Sequence, residues 1–69
     1  MDIEKDMEIV TLQFQTPQDL ASFRQVVKSR TVRVDLKELH IVCHCSESDI
    51  DLAVNHYHAV ILERINRAL

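Results

Sequence analysis

Six side chains able to bind a metal or attack a substrate lie in the second half of the chain: His40, Cys43, His44, Cys45, His56 and His58. Thiolate and imidazole together are the ligands of zinc sites, which want four ligands converging, commonly spaced C-x₂₋₄-C or H-x₃₋₅-H. The spacings here are C-x-C and H-x-H. The run Leu39–Cys45, L-H-I-V-C-H-C, alternates as a strand does. Leu39, Ile41, Cys43 and Cys45 then share one face, and His40, Val42 and His44 the other. On a helix, His56 and His58 point about 200° apart. Neither pair converges on one ion, so no metal ligand and no cofactor are assigned. A nucleophilic cysteine needs a neighbouring base and some exposure. His44 adjoins both thiols in sequence but lies across the strand. His56 or His58 could approach from a helix, with no orienting group or oxyanion device beside them. No catalytic residue is assigned, and the chain is not expected to be an enzyme. Cys43 and Cys45 read instead as small apolar filler facing a core. About 6.6 Å apart on one strand face with parallel side chains, they suit a mutual disulfide poorly.

The chain has 69 residues and no glycine. Glycine-rich phosphate loops and the nucleophile elbow are therefore excluded. The net charge of −3 gives no general attraction to nucleic acid or an anionic membrane. Arg24, Lys28, Arg30, Arg33 and Lys37 are close in sequence but fall on two faces. The aromatic residues Phe14, Phe23 and Tyr57 are all assigned to the core, which leaves no platform for stacked bases. The acidic start, M-D-I-E-K-D-M-E, does not read as a secretory leader, and no apolar run reaches the length of a membrane span. Two cysteines in such a chain are expected to be thiols in the cytoplasm.

These side chains must be positioned by a few short elements. Residues 1–6 read as a flexible tail, and 7–69 as a single α+β domain. From Met7 to Phe14 the pattern is a strand. Val10, Leu12 and Phe14 face one way and Ile9, Thr11 and Gln13 the other, both sides partly covered. Thr16, Pro17 and Asp19 form a helix start. That helix is expected to run to about Ser29, burying Leu20, Phe23 and Val27 with Val26 alongside.

Thr31 to Cys45 holds two apolar alternations in opposite phase. They read as a hairpin turning at Lys37-Glu38, or as one bulged strand, which at about 50 Å is too long for so small a domain. In the hairpin Leu36 faces Leu39, Val34 faces Ile41 and Val32 faces Cys43. On the other face Asp35 meets His40, Arg33 meets Val42 and Thr31 meets His44. An ion pair from Asp35 would favour the charged imidazole of His40 and give modest pH sensitivity. Ser46 or Ser48 with Asp49 or Asp51 starts a second helix. Its stripe of Ile50, Val54, Tyr57, Val60, Ile61 and Ile65 implies about 20 residues, with Arg64 and Arg67 near its negative end.

The order β-α-β-β-α predicts a two-layer fold: a three-stranded sheet with both helices on one face and Leu39–Cys45 in its middle. That order resembles the ferredoxin-like arrangement without its last strand. The expected core is thin, the second helix carries more apolar area than it can bury, and the first strand offers an open edge. These features point to a non-enzymatic protein-association domain, most simply a homodimer or a binder of another protein. The alternative is a small-molecule or metal-binding sensor using the open sheet face or the Cys43–His58 region.

Overall fold

The computed structural model describes residues 8–66. The expected tail, the start of the first strand at Met7, and Arg67, Ala68 and Leu69 lie outside these residues. The elements in order are β1 (Glu8–Gln13), α1 (Pro17–Val26), β2 (Thr31–Asp35), β3 (His40–Cys45), α2 (Glu47–His56) and β4 (Val60–Asn66). A short 3-10 turn, Lys28–Arg30, leads into β2. The sheet has four antiparallel strands in the order β2-β3-β1-β4, not three. β1 is therefore an inner strand rather than an edge.

The fourth strand is where the predicted second helix should have continued. α2 stops at His56 for a backbone reason. The Ala53 carbonyl accepts from both Tyr57 N (3.1 Å) and Ala59 N (3.0 Å), and His58 between them takes φ 58°. That left-handed residue turns the chain back toward the sheet. Val60 to Ile65 then pair with β1, Ile61 opposite Leu12, Glu63 opposite Thr11 and Ile65 opposite Ile9. Leu62 is the extra residue of a bulge between those pairs.

Both helix starts are capped as their sequences predict. Thr16 Oγ1 accepts from Asp19 N at 3.1 Å, with Pro17 in the first turn. Ser46 and Asp49 form a reciprocal box, Asp49 N donating to Ser46 Oγ and Ser46 N to the Asp49 carboxylate. α1 is shorter than expected, because the chain tightens at Val27 into the 3-10 turn.

The core lies between the helices and one sheet face. Val10, Leu12 and Phe14 from β1 and the following residue, and Ile41, Cys43 and Cys45 from β3, meet Leu20, Phe23, Val27, Ile50, Ala53 and Ala59. Phe23 is the centre, its ring 5.6 Å from that of Phe14 and 5.8 Å from that of Tyr57. Val26 and Val54, expected beside or on the buried stripes, are exposed instead.

The hairpin β2–β3 forms with a four-residue turn, Leu36–Leu39, around Lys37-Glu38. Asp35 Oδ1 accepts from Lys37 N (3.0 Å) and Glu38 N (3.1 Å), the local capping that Asp supplies in turns. Leu39 takes φ 60°, and its carbonyl accepts from Phe14 N at 2.8 Å, which ties the turn to the end of β1. With no glycine in the chain, Leu39 and His58 fill the two left-handed positions found among the described residues. Val34 opposite Ile41, Asp35 opposite His40 and Arg33 opposite Val42 follow the expected register. Three positions do not. Thr31 lies opposite Cys43 rather than His44, and Val32 is expelled in a bulge, 58% exposed, instead of facing Cys43. The Thr31 hydroxyl donates to the Val27 carbonyl at 3.2 Å, which pins the start of β2 to the end of α1 and leaves one residue too many before Arg33. Leu36, expected opposite Leu39, stands on the exposed turn.

Candidate functional site

The six chemically able side chains are dispersed by this fold. Cys43 and Cys45 point into the core and are fully buried. His40 and His44 lie half-buried on the opposite face of β3. His56 ends α2 and His58 occupies the left-handed position beyond it, both exposed. Among the described residues, no three histidine, cysteine, aspartate or glutamate side chains gather as a metal would require.

The thiols depart from expectation in one respect. Their side chains lean together, and the two sulfur atoms lie 2.7 Å apart, both cysteines being free. The bond they share stabilises a thiolate at Cys43 and draws that thiol down. The same bond, reinforced by burial, pushes Cys45 up. One proton is thus easier to remove than the second, but neither sulfur meets solvent. A disulfide reagent applied to the native protein should label neither cysteine, with labelling at least about a hundredfold faster once guanidinium unfolds the chain, because reaction requires an opening of the core. One thiol reacting rapidly in the native state would contradict this packing.

The remaining candidate surface is the sheet face turned away from the helices. Pairing across the four strands arranges it in three rows. The first runs Asp35, His40, Gln13, Val60 from β2 to β4. The second runs Arg33, Val42, Thr11, Glu63. The third runs His44, Ile9, Ile65. The residues of β1 and β3 in these rows are half-buried, while Val60 and Ile65 on the edge strand are 49% and 48% exposed. Period two alone places Ile9, Thr11, Gln13, His40, Val42 and His44 here. It misses Val60, Glu63 and Ile65, which helical periodicity assigns to α2.

Asp35 does not serve His40. Its carboxylate is occupied by the turn, and among the described residues no ion pair joins the two side chains. The ion pairs that do form lie on the helix side of the sheet and its margins. Arg30 meets Asp49, and Arg64 bridges Glu8 and Glu47, so that β4 is fastened to β1 and α2. The Arg64 guanidinium holds the Glu8 carboxyl below its usual range, and the two carboxylates raise Arg64 in turn.

No aromatic side chain lies on the open face: Phe14 and Phe23 are core residues and Tyr57 packs against them. No helix among the described residues is long and apolar enough to cross a membrane. Compared with protein-family models, with curated proteins and with solved structures, the chain matches none.

Proposed function

We propose that this chain is a non-enzymatic protein-association domain of the cytoplasm that works as a homodimer. The observation that carries this reading is the run of apolar side chains on the edge strand β4. Val60, Ile61, Leu62 and Ile65 are 49%, 36%, 47% and 48% exposed in the single chain. Apolar residues scattered singly over a surface are ordinary, but Val60 and Ile65 share the open sheet face with half-buried Ile9, and Ile61, opposite Leu12, leaves further apolar area uncovered on the helix side of the same edge strand. The excess apolar area that the sequence assigned to a helix thus belongs to a strand. An edge strand also presents unpaired backbone groups along its outer side. Small domains commonly complete a thin core by association. The element order β-α-β-β-α-β is that of the split β-α-β arrangement, a likeness of topology that leaves function open.

Sedimentation equilibrium at micromolar concentration tests the reading. The expected result is a concentration-dependent mass rising toward twice the 8.0 kDa of one chain. A stable protein that stays at 8.0 kDa across the range removes the homodimer.

A further inference from the structure

The homodimer reading leaves open which surface the second copy covers. Resting on that reading, we infer that two copies pack their open sheet faces together about a two-fold axis parallel to the strands. The axis runs between β3 and β1, so that Arg33 of each copy meets Glu63 of the other.

The middle row of the face, Arg33, Val42, Thr11, Glu63, decides the symmetry. Its two ends carry opposite charges and its centre carries none. Among the described residues neither Arg33 nor Glu63 takes part in an ion pair. With strands about 4.8 Å apart, the two charges sit on opposite margins, about 14 Å from each other and too far to pair within one sheet.

Two face-to-face symmetries are available to such a sheet. An axis perpendicular to the strands lays each strand over its own copy. Arg33 then faces Arg33 and Glu63 faces Glu63, and both juxtapositions repel. An axis parallel to the strands lays β2 over β4 and β3 over β1. Arg33 then faces Glu63 twice, and Val42 faces Thr11 twice in the centre. The face is self-complementary about the second axis and self-repelling about the first.

The neighbouring rows are compatible with that axis. His44 falls over Ile9, and His40 over Gln13. Asp35 falls near Val60, but its carboxylate is already turned into its own loop by Lys37 N and Glu38 N. Packed sheets lie about 10 Å apart with strand directions within about 30°, a separation that an arginine and a glutamate can bridge together. The rotation of about 30° displaces the margins least in the middle row, where the charges are.

The size of the face sets the class of interface. Four strands of about six residues make a patch of about 20 Å by 20 Å, which places the dimer at the small end of specific interfaces. Obligate homodimers bury more than such a face offers.

Charge reversal tests this directly. Both side chains are exposed and outside the core, so the variants Arg33→Glu, Glu63→Arg and the double variant should keep the far-ultraviolet circular dichroism of the parent chain. By sedimentation equilibrium each single reversal should weaken the dimer about tenfold or more, since it turns two attractive contacts into two repulsive ones. The double reversal should recover the parent affinity. The two single variants, mixed, should dimerise with each other better than either does alone. If the parent chain dimerises and the single reversals leave its affinity unchanged, the dimer uses another surface: this inference falls and the association reading stands. If the parent chain is monomeric at every concentration, the association reading itself falls, and this inference with it.

Discussion

Replacing Phe23 by alanine should cost about 3–5 kcal/mol, the range for deleting a fully buried aromatic ring. Phe23 has no exposed surface, and its ring is the one that joins Phe14 at the end of β1 to Tyr57 at the end of α2. A chain of 69 residues has about 3–10 kcal/mol of total stability, so this single loss approaches the whole. Urea denaturation at fixed protein concentration should show the midpoint falling by about 2 M or more, or a chain unfolded without denaturant. Leucine at the same position should lose less, because it leaves a smaller void. A loss below about 1 kcal/mol in the alanine variant would mean that the cavity collapses freely, which a close-packed centre does not do. The size of the effect follows from the thinness of the core. Twelve buried apolar residues hold the described part of the chain together, and two of the twelve are alanines that contribute little area.

The second large effect is expected at His58, where proline should destabilise by about 3 kcal/mol or more and glycine should stabilise. His58 is exposed, so substitutions there act on the backbone rather than on packing. Its φ of 58° lies in the left-handed region, which costs an ordinary residue about 1–2 kcal/mol. Glycine removes that strain but adds about 0.5–1 kcal/mol of unfolded-chain entropy, leaving a gain of up to about 1 kcal/mol. For a domain of this size the gain is worth up to about 4–8 °C in Tm. Proline fixes φ near −65° and cannot adopt the turn at all. Thermal unfolding of the two variants checks both signs. The glycine variant separates the observed structure from a helix continuing through position 58, where glycine would cost about 1 kcal/mol instead. A lower Tm for His58→Gly would therefore restore the longer helix and remove β4.

Much of the architecture is legible in the order of residues alone. The helix starts at Thr16 and Ser46 are visible because capping is local, set by side chains three residues from the backbone groups they satisfy. The two faces of β1 and β3 are visible because period two needs no partner to be recognised. Hence Val10, Leu12, Ile41 and Cys43 are found in the core, and His40, Val42 and His44 on the open face. The hairpin is visible in the two opposed alternations around Lys37-Glu38.

The ambiguities share a common cause. Val60, Ile61 and Ile65 fit a helical stripe after Ile50 and Tyr57, and they fit a strand of branched residues equally well. No local rule separates the two, because the deciding partner, β1, is far earlier in the chain. β1 has two edges, and β3 satisfies one. The other edge would leave inner-strand backbone groups unpaired beside a core, a cost met by bringing Val60–Asn66 alongside. The two bulges are decided in the same way. Val32 is expelled by what its neighbour is tied to, Thr31 to Val27, and Leu62 falls between the pairs Leu12–Ile61 and Thr11–Glu63 that β1 imposes.

The capped helices, the inward faces of two strands and the histidine-bearing side of β3 are thus written into the local sequence, since each depends on residues within a turn or two. Other features exist only once distant segments have paired: the last apolar run as a strand, the two thiols meeting inside the core, and Arg33 and Glu63 at opposite margins of one row. There the demand of buried backbone groups for partners outweighs local periodicity.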